Sequence, residues 1–202
     1  MKLGLFGGSF DPVHLGHLLV AQAAIEELGL DRLFFIPAAQ SPFKPESKPA
    51  PAAIRLQLLR LALAGQTNCE IDDQEIRRGG VSYTIETLRD YAKRFPRAEL
   101  FYLIGADNAA ELNEWREAGE LAKLAEFVAL PRPVWSSGFS RTEPPEDGTP
   151  NFPPPFRGRR LKGFPLAVSS SEIRARVKSG RPMEPLVPPP VAEAIRAARL
   201  YL

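Results

Sequence analysis

The chain reads Gly7-Gly8-Ser9-Phe10-Asp11-Pro12-Val13-His14-Leu15-Gly16-His17 directly after a short apolar run at residues 2–6. An apolar run that ends in two glycines predicts a buried strand entering a tight turn. Apolar side chains then recur at helical spacing from Leu15 until Gly29, so a helix should begin near Leu15. The glycines would let the backbone approach a ligand closely, and the helix start would offer free N–H groups there. This order of strand, turn and helix predicts an anion site.

Strands and helices alternate along the rest of the chain. Short apolar runs predict strands at residues 32–36, 70–72, 100–104 and 127–130. Helical spacing predicts helices at residues 54–65, 84–95, 171–178 and 191–200. The alternation predicts an α/β fold, a doubly wound, Rossmann-like parallel sheet with flanking helices. Such sheets bind ligands beyond the carboxyl ends of their strands, so we expect the site at residues 7–17, 37–45 and 105–115.

Length and composition fit a single domain over residues 1–202. The chain has 44% hydrophobic and 25% charged residues and a formal net charge of +2, which is typical of a globular protein and not of a nucleic-acid-coating one. A single cysteine, Cys69, excludes an intrachain disulfide and a cysteine-based zinc finger. Since we find neither an apolar run of membrane-spanning length nor a signal peptide, we expect a cytoplasmic protein.

Prolines are concentrated at about residues 136–165. Proline cannot continue a helix or donate within a central strand, so we expect an irregular surface segment there. Its composition offers little apolar surface to a core, and we expect it to be dispensable for chemistry.

The two histidines of the chain, His14 and His17, share the turn after the first strand. Each could donate a hydrogen bond to a phosphate oxygen. The alternatives are two surface histidines beside a glycine turn, or a metal site. We predict no metal ligands, because no third ligand is evident.

The first motif resembles the G-x-F-x-P-x-H-x-G-H signature of the nucleotidyltransferase superfamily, whose members transfer a nucleoside monophosphate. Late in the chain, Val168-Ser169-Ser170-Ser171-Glu172-Ile173-Arg174 is similar to the I-S-S-T-x-I-R element of the same superfamily. Ser169 and Glu172 have the spacing of a capping box, which would place hydroxyls, free N–H groups and Arg174 at a helix start. Alone, this second element would also fit a routine capped surface helix.

Three stretches between the motifs are similar to bacterial nicotinate mononucleotide adenylyltransferases. Residues 36–45 resemble their I-P-x-x-x-P-P-H-K loop, residues 82–88 their S-Y-T-x-x-T-L helix start, and residues 104–107 with Trp115 their I-G-x-D…W region. Phe43 and Ala38-Ala39 depart from that loop, where the family has His and frequently Asn, so only Lys44 is carried over from it. The resemblance covers most of the chain except about residues 136–165.

The resemblance implies transfer of AMP from ATP to nicotinate mononucleotide, giving nicotinate adenine dinucleotide and pyrophosphate. It implies catalytic roles for His14, His17 and Arg174. The residues implied in ATP binding are Gly7, Gly8, Ser9, Phe10, Gly105, Asp107, Ser169 and Ser170. Those implied in binding the mononucleotide are Lys44, Tyr83, Thr84 and Trp115.

Physical arguments support some of these roles and leave others open. A helix start at Thr84 favours a carboxylate over a neutral amide. Trp115 could stack on a flat ring or simply pack in the core. Asp107 could accept hydrogen bonds from ribose hydroxyls or act as a helix N-cap, and Lys44 could steer a phosphate or be a solvated loop lysine.

The implied cofactor is Mg²⁺, carried by the ATP phosphates because the sequence shows no carboxylate cluster to hold it. The expected partners are ATP and nicotinate mononucleotide, without nucleic acid or membrane, and whether the chain forms a homo-oligomer stays open. Three alternatives remain. They are a sister enzyme acting on nicotinamide mononucleotide or phosphopantetheine, a non-catalytic nucleotide-binding regulator, and an RNA-binding protein, which the basic balance favours but no aromatic-basic pattern supports.

Overall fold

A computed structural model describes residues 1–42, 49–130, 152–164, 166 and 168–202. Within these residues the chain forms one six-stranded, all-parallel sheet. Its strands are β1 (Lys2–Gly8), β2 (Arg32–Pro37), β3 (Cys69–Ile71), β4 (Glu99–Gly105), β5 (Glu126–Leu130) and β6 (Gly158–Arg160). They lie in the order β3-β2-β1-β4-β5-β6, which confirms the predicted doubly wound, Rossmann-like fold. The order reverses between β1 and β4, and a ligand is expected beyond the carboxyl ends of these two strands.

Helices cover both faces of this sheet. They are α1 (Leu15–Leu28), α2 (Ala52–Ala62), α3 (Gln74–Arg78), α4 (Thr84–Arg94), α5 (Ala106–Ala109), α6 (Ala118–Leu124), α7 (Ser170–Lys178) and α8 (Pro189–Ala197), with a 3-10 turn at Leu112–Glu114. Helices α1, α2, α7 and α8 pack on one face, and α4 and α6 on the other. Strand side chains alternate between the faces: in β4, Phe101 and Leu103 face α1, whereas Leu100, Tyr102 and Ile104 face α4. Burial on both sides explains why the strands read as continuous apolar runs.

Local signals in the sequence set several helix ends. Helix α1 stops at Gly29, which adopts the left-handed conformation (φ 63°) that glycine takes without strain. Helix α4 ends before Pro96, because the residue preceding a proline is driven out of the helical region. Helix α8 has prolines in its first turn, where no N–H is needed. No helix in the described residues is long and apolar enough to cross a membrane.

The prediction of an irregular segment at 136–165 is wrong at Gly158–Arg160, which form a strand. Residues 131–151 lie outside the described residues, but Gly158–Arg160 form β6, which pairs with β5 at the sheet edge. Phe156 and Leu161, on either side of β6, are buried in the two opposite cores. No proline lies between Pro155 and Pro165, so the backbone N–H groups there are available to one partner strand, which is all that an edge strand needs.

Candidate functional site

The three stretches expected to form the site begin at the carboxyl ends of three neighbouring strands, β2, β1 and β4. Strand β1 lies between β2 and β4, so its end at Gly8 is flanked by the ends of both neighbours. The N–H of Ala38, just after β2, donates to the Gly8 carbonyl (2.9 Å). The stretches predicted to form the site thus lie where the strand order reverses, which is where such sheets bind ligands.

His14 and His17 cap the first turn of α1 reciprocally. His14 is the N-cap residue, with extended backbone. Its N–H donates to Nδ1 of His17 (3.2 Å), and the N–H of His17 donates to Nδ1 of His14 (3.3 Å). The two rings stack with their centroids 3.6 Å apart. Two backbone donors of the helix start are thus satisfied by imidazoles, in the manner of a capping box.

This capping fixes the protonation of both rings. Because a backbone N–H can only donate, each Nδ1 must be unprotonated, and each neutral ring carries its proton on Nε2. Burial lowers the pKa of His14 from 6.5 to about 4. Burial, and secondarily the neighbouring His14, lowers the pKa of His17 well below 6.5. At pH 7 the pair is neutral, and each Nε2–H remains as a donor for a ligand.

Close approach explains two glycines of the first motif. A Cβ on Gly16 would lie 2.8 Å from Cγ1 of Val168 and 3.0 Å from Nδ1 of His14. A Cβ on Gly7 would lie 2.4 Å from the hydroxyl oxygen of Tyr102. A side chain at position 16 would displace His14 or Val168, and a side chain at position 7 would displace the Tyr102 hydroxyl.

The Phe10 side chain supports His17 from the core. It is 1% exposed, and its ring stands edge-on to the imidazole of His17 at a centroid distance of 5.0 Å. A Cβ on Gly8 would lie 3.1 Å from this ring. A contact of residue 10 with ATP would therefore have to come from its backbone, while the phenyl ring packs behind the histidine.

The second motif docks directly on the first. Ser169 caps α7, its Oγ accepting from the N–H of Glu172 (3.2 Å). The Ser170 hydroxyl donates to the carbonyl of Pro12 (2.8 Å), and Nη1 of Arg174 donates to the carbonyl of Asp11 (2.6 Å). Two side chains of α7 thus bind the loop that precedes α1, and the helix starts of α1 and α7 come together. The remaining guanidinium N–H groups of Arg174 include one that donates to Ser171 Oγ (3.2 Å).

The start of α4 lies beside the end of β1. Tyr83 occupies the N-cap position of α4, and the Thr84 hydroxyl donates to the Tyr102 hydroxyl (3.3 Å). The same hydroxyl lies against the Gly7 backbone. Tyr102 therefore connects the turn at residues 7–17, where we expect phosphates, to the start of α4, where we expect the carboxylate. We did not predict a role for Tyr102. Its only signal is a hydroxyl-bearing residue near the end of an otherwise apolar strand.

Trp115 is partly buried in the core on the α4 side. Its ring stands edge-on to Tyr102 and Phe127, at centroid distances of 6.5 and 6.2 Å. The next residue, Arg116, places its guanidinium 4.6 Å from the centre of the Tyr83 ring. Tyr83 and Trp115 both pack against the core on the α4 side. This position fits a packing role and a stacking role of the tryptophan alike.

Ser82, just before α4, anchors the loop that follows β2. Its Oγ accepts from the N–H of Ala39 (2.9 Å), and its own N–H donates to the Gln40 carbonyl (2.9 Å). The loop is thereby held next to the start of α4. The predicted Lys44 and the departure at Phe43 lie outside the described residues.

Gly105 ends β4 and takes the N-cap position of α5. Asp107 is the second residue of α5, so the N-cap interpretation of Asp107 is wrong; its side chain is outside the described part of the structure. No group of three or more histidine, cysteine, aspartate or glutamate side chains in the described residues could hold a metal ion.

Comparison with known proteins gives one consistent result. The family model described as cytidylyltransferase-like matches residues 5–176. A protein of Opitutus terrae named "probable nicotinate-nucleotide adenylyltransferase" is 43% identical over 201 residues, which span 100% of this chain and 98% of the relative. A protein of Thermus thermophilus with the same name is 40% identical and covers 100% of both chains.

The fold also matches solved structures. The nicotinic acid mononucleotide adenylyltransferase of Plasmodium falciparum, complexed with NaAD, superimposes with a TM-score of 0.75 at 17% identity, covering 99% of this chain and 97% of the other. At that identity the likeness concerns the fold.

Proposed function

Because the chain belongs to the cytidylyltransferase-like family and, within it, to the nicotinate-nucleotide adenylyltransferases, we propose that it transfers AMP from ATP to nicotinate mononucleotide. The products are nicotinate adenine dinucleotide and pyrophosphate, a step of NAD biosynthesis. The observation that carries this proposal is the docking of α7 on the loop before α1, through Ser170 and Arg174, at the reversal of strand order.

The reaction requires that the two substrates be positioned and that the charge developing on the α-phosphate be stabilised. An oxygen of the mononucleotide phosphate attacks the α-phosphorus of ATP, the bond to the β-phosphate oxygen breaks, and pyrophosphate leaves. The attacking phosphate is already anionic at neutral pH, so no general base is needed. We assign the Nε2–H of His17 to the α-phosphate oxygens, where charge develops, and that of His14 to the neighbouring phosphates. We assign the rest of the triphosphate to Arg174, to the start of α7 and to the positive end of the α1 dipole, since the N–H groups of Leu15 and His17 are already bound within the protein.

The α4 side of the site fits the acceptor. The N–H groups at Tyr83 and Thr84 offer donors and positive potential to the nicotinate carboxylate. Trp115 stacks on the pyridine ring, and Lys44 steers the incoming phosphate. Gly105 and Asp107, beyond β4, lie next to the adenosine ribose, and Gly7, Gly8 and the backbone of Ser9 and Phe10 line the nucleotide.

Mg²⁺ fits this site as a companion of ATP. The described residues offer no cluster of ligands for it, so phosphates and water would hold the ion, and it would reduce the charge of the triphosphate. We expect the enzyme to work in the cytoplasm, where ATP is available.

An acceptor panel tests the proposal. The protein is incubated with ATP, Mg²⁺ and, in turn, nicotinate mononucleotide, nicotinamide mononucleotide and phosphopantetheine, and pyrophosphate is followed. Release that depends on nicotinate mononucleotide is the expected result. Release with another acceptor only would indicate the sister enzyme, and ATP binding without any release would indicate a non-catalytic regulator.

A further inference from the structure

Asp11, in the loop before α1, is held from several directions. Its side chain is buried, and its Oδ1 accepts from the hydroxyl of Tyr201 (2.8 Å) and from the N–H of Ala50 (3.2 Å). Its carbonyl accepts from Nη1 of Arg174, the atom that also lies 3.9 Å from its Oδ2. The residue that receives Arg174 is thus itself fixed by segments far away in the sequence.

Arg55, on α2, supports the same loop from below. It is only 1% exposed, which is rare for a cation. Its Nη1 donates to the Ser9 carbonyl (2.8 Å) and its Nε to the Ala50 carbonyl (3.0 Å). Burial lowers the pKa of Arg55, while the nearby Asp11 raises it. Arg55 is therefore a buried cation directly beneath the loop, and the nearby Asp11 carboxylate partly offsets the cost of its burial.

Tyr201 lies outside both nucleotidyltransferase motifs. It follows α8 and adopts a left-handed backbone (φ 66°), which is uncommon for a residue with a side chain. Burial, together with its hydrogen bond to Asp11, raises the pKa of its hydroxyl, so the group stays a donor across the working pH range. The hydroxyl thus contacts Asp11 from a backbone conformation that costs free energy to adopt.

We propose that Tyr201 and Arg55 are positioning residues for nucleotidyl transfer. Arg55 fixes the carbonyl of Ser9, Tyr201 fixes the side chain of Asp11, and Asp11 in turn fixes Arg174, so that the loop before α1 and the arginine meet the triphosphate in one geometry. This inference rests on the proposed function for its kinetic consequences, but not for the conformational ones.

The chain offers a matched control for Tyr201→Phe. The Tyr91 hydroxyl also donates to a buried aspartate, Oδ2 of Asp72 (2.7 Å), at the far end of α4. Tyr91→Phe therefore removes the same atom and the same kind of bond away from the loop. Arg55→Lys serves as a second variant. It keeps the charge but cannot make both hydrogen bonds, to the Ser9 and Ala50 carbonyls, in the same geometry.

Two measurements test the proposal. Hydrogen–deuterium exchange of residues 9–17, without ligand, should be faster in Tyr201→Phe and Arg55→Lys than in the parent, and unchanged in Tyr91→Phe. The Kd and the KM for ATP should rise about fivefold to thirtyfold in Tyr201→Phe, with the KM for nicotinate mononucleotide within about twofold. A structural role alone would predict a lower Tm in both tyrosine variants without this selective change.

Unchanged exchange and an ATP affinity within twofold of the parent in Tyr201→Phe would overturn the proposal. Equal changes in Tyr91→Phe would also overturn it, since they would indicate general loosening. If the parent releases no pyrophosphate with nicotinate mononucleotide, the proposed acceptor is wrong, yet the exchange comparison still decides the role of Tyr201.

Discussion

His17 uses its two ring nitrogens for different tasks. Nδ1 accepts from the backbone of His14 and holds the start of α1, which leaves the Nε2–H for the phosphate contact that we propose. The sequence predicts two phosphate donors at this turn, and the structure places both imidazoles there. The sequence was not sufficient to predict their tautomer, because that depends on a hydrogen-bond geometry that spacing alone does not specify.

A substitution that keeps the Nδ1 acceptor of His17 and removes its Nε2–H donor separates the two tasks. Asparagine at position 17 retains an acceptor near the Nδ1 position but has no donor at the Nε2 position. We expect His17→Asn and His17→Ala both to lower turnover by about 10²–10³-fold, because a donor to the transition-state charge is lost. His17→Asn should keep a higher Tm than His17→Ala. Turnover by either variant within about threefold of the parent would remove His17 from the mechanism.

The buried neutral state of His14 predicts a loss of stability in acid. Its pKa is lowered from 6.5 to about 4 in the folded protein, so between these values the unfolded chain binds more protons. Stability is therefore fully present above pH 6.5 and falls as the pH drops toward 4, by about 2 kcal/mol at pH 5 from this residue alone. Denaturant unfolding of the parent and of His14→Asn, which preserves a capping side chain, should show a shallower acid slope in the variant. Parallel slopes would contradict this account.

At the scale of elements, the longer helices were predictable and the helices of seven residues or fewer were not. The predicted strands and the longer helices appear within a few residues of their predicted bounds, as for β4 and α1. Helices α3, α5 and α6, of seven residues or fewer, were missed because they contain too few turns for apolar periodicity to emerge. The docking of α7 on the loop before α1 depends on tertiary contacts, and it was expected only through the resemblance of two motifs.

We expect the start of α4 to determine which mononucleotide the enzyme accepts. Nicotinate and nicotinamide mononucleotides have nearly the same shape, so discrimination must come from charge and donors. A helix start contributes up to about 2 kcal/mol, and an amide NH₂ facing donors costs about 1–3 kcal/mol, which together predict at least about tenfold preference for the acid. Thr84→Ala removes the hydroxyl that binds Tyr102 and holds this helix start, so it should reduce the preference, whereas Thr84→Ser keeps the hydroxyl and should retain it. Equal kcat/KM for both mononucleotides in the parent would refute the carboxylate pocket.

At the scale of the whole molecule, the sheet order was predictable only as a class. Alternating strands and helices indicated a doubly wound sheet, but nothing local placed β6 beside β5. The prolines on both sides of β6 argued against a strand there. Phe156 and Leu161 become buried on opposite faces only once the sheet has formed, so local sequence does not predict their burial. Composition thus underestimated what this region contributes to the core.

Phe156 tests whether that region serves stability or chemistry. It is 7% exposed, and its ring stands edge-on to Phe127 at 5.1 Å, so Phe156→Ala would leave a cavity beside β5. Such truncations cost about 3–5 kcal/mol, and for a chain of this size 3 kcal/mol is a fall in Tm of roughly 6–12 °C. Phe164, which is 43% exposed, provides the control, and Phe164→Ala should change the Tm little. Below its Tm, Phe156→Ala should bind ATP like the parent, because the loop before α1 and α7 contact each other without it. A loss of ATP affinity in the folded variant would instead make this stretch part of the nucleotide site.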